Sequence, residues 1–155
     1  MLITTGRNPD AISRAIAQAL GAAIPRSIVE GRGRRTLSGI ISKARKKRFP
    51  RVCTIYKVEG KPCAISFLSV DEKGWKRLSP QLQITSAKAF AKAGREQSSC
   101  LEISGTKASA LKQLLSVMEN EEGDEPESKI TAGASKITIH VHGKRLIELG
   151  VKYEG

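Results

Sequence analysis

Hydrophobic and polar positions divide the first 30 residues into three short elements. Residues 2–5 (LITT) form an apolar run typical of a strand. In residues 8–24, Asn8 can cap a helix and Pro9 suits its first turn. Apolar residues then recur at helical spacing, at Ile12, Ala15, Ile16, Ala19, Leu20 and Ala23. The pattern predicts a strand, an amphipathic helix and a second short strand over residues 24–29.

The next 40 residues predict a second helix and a hairpin. Gly31 and Gly33 interrupt the pattern, and Thr36 can cap a helix that runs to about Arg48. On that helix Leu37, Ile40, Ile41 and Ala44 share one face. Two β-branched runs in residues 51–70 flank the turn-like sequence of residues 59–62, which indicates a hairpin.

The second half shows a weaker version of the same order. Its pattern predicts a strand in 75–84, a helix in 85–94, a strand in 99–104, a helix in 105–120, an acidic loop in 119–128 and two strands in 135–155. We therefore predict an α/β fold of two similar halves, about 1–74 and 75–155, with mixed sheets and flanking helices. Together the halves form a single domain over residues 1–155.

Charge indicates the kind of partner. The formal net charge is +12, which is typical of proteins that bind a polyanion or an acidic partner. Residues 1–74 hold fifteen Lys and Arg against five Asp and Glu, whereas residues 75–155 hold twelve against ten. The first half is therefore the candidate for the polyanion-binding surface.

The basic residues concentrate around the second helix. The apolar stripe would direct Lys43, Arg45 and Lys46 outward. Cations in the last turn of a helix also relieve its dipole, so an inert solvated face stays open as an alternative. That alternative does not explain Arg32, Arg34 and Arg35, which precede the helix. The predicted polyanion-binding residues are Arg7, Arg14, Arg32, Arg34, Arg35, Lys43, Arg45, Lys46, Lys47 and Arg48.

Other kinds of site have little support in the sequence. The chain contains no apolar run long enough for a membrane span and no visible signal peptide, so we expect a cytoplasmic protein. Its three cysteines lack zinc or redox spacing. His140 and His142 share a strand face, but no third metal ligand lies close by in sequence. No catalytic set is visible, and we expect neither a metal nor a cofactor.

Four segments, in order, resemble the Brix domain of ribosome-biogenesis proteins. The opening carries Thr5, Arg7 and Pro9 of a Thr-Ser-Arg-x-Pro-like junction, and residues 60–70 resemble the family's Gly-x-Pro turn and strand. The second and the closing segments match at Arg32, Gly33, Thr36, Leu37, Glu148, Gly150, Tyr153 and Glu154. Gly6 departs from the pattern where Ser is common, and Val151-Lys152 where Pro-Arg is common. The short length is similar to the minimal archaeal form.

The resemblance implies two halves related to the anticodon-binding domain of some aminoacyl-tRNA synthetases, and an RNA-binding assembly factor rather than an enzyme. We therefore predict a ribosome-biogenesis protein that binds precursor ribosomal RNA through its basic first half, with ribosomal or other assembly proteins as further partners. Two alternatives stay open. A protein-interaction scaffold that docks on an acidic partner would associate with ribosome precursors in a nuclease-insensitive way. A tRNA-binding accessory domain would show competition by tRNA.

Overall fold

A computed structural model describes residues 1–57, 63–117 and 125–155. Within these residues, ten strands form one mixed sheet and three helices pack against it. The elements are β1 (Leu2–Thr5), α1 (Ala11–Ala23), β2 (Ile28–Glu30), α2 (Leu37–Lys46), β3 (Arg51–Lys57), β4 (Cys63–Val70), β5 (Trp75–Arg77), β6 (Gln81–Ala89), β7 (Leu101–Ser104), α3 (Ala108–Leu115), β8 (Ser128–Ala132), β9 (Lys136–Val141) and β10 (Lys144–Glu154). The predicted mixed α/β class with flanking helices is confirmed.

The sheet has the strand order β2-β1-β3-β4-β6-β10-β9-β8-β7, with β5 paired to β4. The pairs β1/β2, β1/β3 and β7/β8 are parallel, and the other pairs are antiparallel. Each half thus contains a parallel pair joined through a helix and followed by antiparallel strands. The order of strands differs between the halves, and whether they share one fold stays a prediction.

Helix α1 lies at the centre of the main core. Its N-cap is Asp10 rather than the predicted Asn8, and the Asp10 carboxylate accepts a 2.7 Å hydrogen bond from the Ser13 N–H. The helix contacts β1, β2 and β3 as well as β8, β9 and β10, so the sheet curls around it. Because strands from both halves bury their apolar side chains against α1, residues 1–74 and 75–155 share one hydrophobic core.

Helix α2 packs on the opposite face of the first four strands. Alternate residues of a strand point to opposite faces, and on β1 Ile3 belongs to the α1 core whereas Leu2 belongs to the α2 core. Ile40, Ile41 and Ala44 are the buried residues of α2, and Leu37 packs against them half-buried. The predicted apolar stripe therefore lies where the helical period placed it.

The predicted helix over residues 85–94 is wrong, because this segment contains no helical residue. Residues 81–89 belong to β6, which pairs with β10 over eight residue pairs from Gln81 to Ala89 and also with β4. Ala and Lys favour a helix locally, but the alanines at 87 and 89 also fit a strand. Pairing with β10 gives residues 86–89 their backbone partners, and this tertiary context outweighs local propensity.

The predictions for the rest of the second half were partly correct. The strand near 101, the helix α3 and the last two strands are present, but β8 was not predicted. Gly105 lies between β7 and α3 with φ +104°, where a Cβ would collide with the Ala132 carbonyl. The hairpin turn at 59–62 and most of the acidic loop at 119–128 lie outside the described residues, as do the last predicted helical positions, 118–120.

The three cysteines are free thiols. Cys53 and Cys63 are buried in strands, and burial raises the pKa of Cys53 to about 12. No helix in the described part of the chain is both long and apolar enough to cross a membrane.

Candidate nucleic-acid interface

Eight of the ten predicted cations lie on the loop before α2, on α2 itself and in the turn that ends it. We call this surface the basic face: Arg32, Arg34, Arg35, Lys43, Arg45, Lys46, Lys47 and Arg48. Thr36 begins the helix, and its hydroxyl accepts a 3.1 Å hydrogen bond from the Gly39 N–H. Because Ile40, Ile41 and Ala44 are buried against the sheet, the polar side of α2 must point into solvent.

Glu30, at the end of β2, organises part of the basic face. Its carboxylate lies 2.6 Å from Lys43 Nζ, 2.9 Å from Arg35 Nη1 and 3.9 Å from Lys47 Nζ. The hydrogen bond from Lys43 is the main reason why the pKa of Glu30 is lowered. One carboxylate thus holds three cations in place, and the cluster of four groups keeps a net charge of +2.

Two arginines of the basic face are oriented by backbone carbonyls. Arg32 Nε donates to the Arg35 carbonyl at 2.8 Å, and Arg45 Nε donates to the Asp71 carbonyl at 2.9 Å. Neutral carbonyls fix the side chains but do not neutralise them. Both guanidinium groups therefore keep their full charge at fixed positions.

The side chains of Arg34, Lys46 and Arg48 have no hydrogen-bond or ion-pair partner within residues 1–57, 63–117 and 125–155. All three side chains are exposed. Arg34 lies before the N-terminus of α2, and the other two lie at its C-terminal end. These cations can bind anions without breaking an internal contact.

Arg48 also has an unusual backbone conformation. Its φ is +60°, in the left-handed region that L-residues other than Asn and Asp seldom occupy. The Phe49 N–H donates to the Ala44 carbonyl at 2.9 Å and the Arg48 N–H to the Arg45 carbonyl at 3.1 Å, which is a Schellman motif with Arg48 at the position usually held by Gly. The chain therefore places a cation where glycine would be less strained.

The remaining two predicted residues lie elsewhere. β1 and β2 are parallel with Thr4 opposite Glu30, so the chain leaves β1 toward Arg7 at the same end of the sheet at which it leaves β2 toward Arg34. Arg14 is on α1, on the other side of the sheet from α2. The structure therefore places Arg7 at the end of the sheet from which the basic face begins, and separates Arg14 from it.

Arg14 instead lines an apolar groove of about 970 Å³ between α1 and residues 89–93. Ile12 and Phe90 line this groove and are 47% and 38% exposed. The Arg145 guanidinium lies 3.6 Å from the Phe90 ring centroid. Sequence reasoning missed this groove, because it assigned Ile12 to the buried stripe of α1 and residues 85–94 to a helix.

The structure places the two histidines at the end of β9 and in the turn after it. His140 is half-buried in β9, and His142 has φ +49° in the turn before β10. The described residues contain no group of three or more His, Cys, Asp and Glu side chains that could hold a metal ion.

Comparison with known proteins supports the resemblance seen in the sequence. No family model matches the chain. Over 75 residues it is 29% identical to the Probable Brix domain-containing ribosomal biogenesis protein of Thermococcus kodakarensis, a match that covers 48% of this chain and only 36% of that protein.

Solved structures of two other proteins share the fold. The probable ribosomal biogenesis protein from Aeropyrum pernix K1 superposes with a TM-score of 0.76 at 14% identity, covering 97% of this chain and 94% of that one. Mil, an archaeal Imp4-like protein, gives a TM-score of 0.65 at 19% identity, covering 98% and 97%. The predicted resemblance to Brix-domain ribosome-biogenesis proteins of the archaeal type is therefore confirmed, and the chain has the fold of archaeal Imp4-like proteins.

Proposed function

We propose that this protein is a ribosome-biogenesis factor that binds precursor ribosomal RNA through its basic face. The names of the similar proteins support the general role in ribosome assembly. The charge of +10 on residues 1–74 supports a polyanion as the ligand. As a binding factor, the protein would work by holding RNA rather than by changing it covalently.

The observation that carries this proposal is the set of free cations on a helix whose opposite side is buried. Glu30 is the one acid in the segment from Glu30 to Arg51, which holds nine Lys and Arg. It engages Arg35, Lys43 and Lys47, and Arg34, Lys46 and Arg48 stay available. If the basic face were only solvated, nothing would require cations to be held at fixed positions at both ends of α2.

The cations of the basic face favour binding to the phosphate backbone of RNA over binding to its bases. Lys and Arg side chains on a convex helix bind phosphates, which fix position and carry no sequence information. The chain contains only six aromatic residues, and Phe49, next to the basic face, is half-buried. We therefore expect most of the affinity to come from charge, and to depend strongly on salt.

The test is the salt dependence of RNA binding, measured by fluorescence anisotropy with a single-stranded ribosomal RNA fragment. Four to six phosphate contacts give a slope of log affinity against log salt of about −3 to −4. Replacing Arg34, Lys46 and Arg48 with Ala removes three charges without breaking an ion pair. The slope should flatten by about 2, so that the loss of affinity at 0.1 M salt is about 100-fold larger than at 1 M.

A matched control removes the same charge from the second half. The side chains of Arg95, Lys144 and Lys152 are exposed and have no hydrogen-bond or ion-pair partner in the described residues. Replacing all three with Ala should change the slope by much less than 1. If both triple variants lost affinity equally, overall charge rather than the basic face would bind the RNA, and the proposed interface would be wrong.

A second candidate function, docking on an acidic partner protein, is favoured by the groove beside α1. Exposed Ile12 and Phe90 provide apolar contact area, and Arg14, Lys92 and Arg145 lie at or beside the groove. Such docking would persist after nuclease treatment of ribosome precursors, whereas association through the basic face would be lost.

A further inference from the structure

A second concave site lies at the C-terminal end of α2, next to the turn that follows β4. It has a volume of about 660 Å³, which is large enough for a nucleobase. Its lining includes Arg45, Lys46, Arg48, Phe49, Asp71 and Glu72. Three cations, one ring and two carboxylates thus meet in one pocket.

The two carboxylates of this pocket are held differently. Asp71 Oδ1 accepts hydrogen bonds from the backbone N–H groups of Lys73 and Gly74, both at 2.8 Å, which fixes the turn. The Asp71 carbonyl accepts from Arg45 Nε at 2.9 Å and ties the turn to α2. Asp71 is therefore mainly structural.

Glu72 is exposed and has no hydrogen-bond or ion-pair partner among the described residues, although three cations line the same pocket. A carboxylate among phosphate-binding cations weakens phosphate binding through repulsion. It accepts hydrogen bonds and cannot donate them when ionised. Its position suits a ligand that presents donors next to acceptors.

We propose that this pocket binds an unpaired guanine base, an inference that rests on the proposed RNA-binding function. Arginine donates well to the guanine acceptors O6 and N7, and Arg48 and Arg45 supply donors. The guanine N1–H and N2 amino groups donate to a carboxylate, and Glu72 supplies one. Adenine offers a donor where guanine offers O6, and pyrimidines lack N7. Guanine is therefore the base that matches both kinds of side chain.

The left-handed conformation of Arg48 supports a role in binding. Residues that keep an unfavourable backbone conformation often serve a ligand site, and the positive φ of Arg48 is observed independently of the pocket. Glycine would relieve it but would supply no donor. If this site bound only phosphate, a cation on the unstrained part of the helix, such as Lys46, would be sufficient.

The experiment uses 12-nucleotide oligouridine RNAs that carry one central guanine, adenine, cytosine or inosine, at constant salt, with binding followed by fluorescence anisotropy. The guanine RNA should bind about tenfold more tightly than oligouridine, which corresponds to one good bidentate contact. Inosine lacks the N2 amino group and should bind with intermediate affinity. Equal affinities for all RNAs would overturn the guanine pocket and leave the proposed function intact. No RNA binding at all would overturn both.

Glu72→Gln and Glu96→Gln form a matched pair of variants, since both carboxylates are exposed and Glu96 does not line the pocket. Glu72→Gln should reduce the guanine preference to about twofold or less while oligouridine binds as tightly as before or more tightly, because a negative charge is removed. Glu96→Gln should keep the preference. If Glu72→Gln changed the affinity for every RNA by one common factor, Glu72 would act only through its charge and the pocket would not read guanine.

Discussion

Replacing Arg48 with Gly should make the protein more stable and its RNA binding weaker. Arg48 occupies the left-handed position of the Schellman motif that ends α2. That conformation costs an L-residue about 1–2 kcal/mol, and the greater freedom of Gly in the unfolded chain offsets about 0.5–1 kcal/mol of the gain. The net increase in the free energy of unfolding should be about 0.5–1 kcal/mol. For a domain of this size that is a rise of about 1–4 °C in Tm.

Urea unfolding measures this stability change, and a salt titration of RNA binding measures the loss of charge. Arg48→Gly should raise the urea midpoint with an unchanged m-value and flatten the salt slope by about 0.7, the contribution of one phosphate contact. Arg48→Ala removes the same charge but keeps a Cβ in the left-handed region. It should flatten the slope equally without the gain in stability.

Lys46→Gly is the opposite control, because Lys46 is the exposed last residue of α2 and does not have a positive φ. Gly costs up to about 1 kcal/mol in a helix interior and less at the last helical residue. This variant should therefore lose some stability, while the salt slope of its RNA binding should flatten as for the Arg48 variants. If Arg48→Gly were no more stable than Arg48→Ala, the backbone strain assigned to this position would be wrong. If neither Arg48 variant changed the slope, Arg48 would not contact phosphate.

Two further predictions concern the ends of α1. Asp10→Ala removes the N-cap and should lower the free energy of unfolding by about 1 kcal/mol at pH 7. The hydrogen bond from Ser13 holds the Asp10 pKa below its ordinary value, so the wild type should lose this stabilisation as pH falls through that lowered pKa, and the difference from Asp10→Ala in urea midpoints should vanish in acid. Gln97→Ala removes two 2.8 Å hydrogen bonds, from Gln97 Nε2 to the carbonyls of Gly21 and Ser27. It should cost about 1–2 kcal/mol, and a urea midpoint equal to that of the wild type would contradict the role of Gln97 in holding the end of α1.

Local patterns predicted most of the first half correctly. The strand at Leu2–Thr5, the two helices and the hairpin strands appear where hydrophobic periodicity placed them, and Thr36 caps α2 as expected. These elements are specified by residues close together in sequence, so their signals do not depend on the rest of the fold. Eight of the ten predicted cations also fall together, because α2 carries an apolar stripe that directs the others outward.

Contacts between residues distant in sequence decided the rest. Residues 85–89 have helix-forming composition but become strand because β10, some 60 residues later, supplies backbone partners. Only the packing of α1 against both halves shows that Arg14 lies apart from α2, and that Ile12 is exposed in a groove beside Phe90. Burial and pairing of this kind depend on how elements meet in space, which periodicity along the chain does not encode.

The sequence by itself determined the charge of the first half, the amphipathic helix that displays it and the resemblance to Brix-domain proteins. The tertiary structure decided which of those charges are free. It paired Glu30 with Arg35, Lys43 and Lys47, and it brought Glu72 to the end of α2. The physical reason is that net charge is a sum over residues, whereas ion pairing and pocket chemistry depend on distances of a few ångströms that only the folded chain sets.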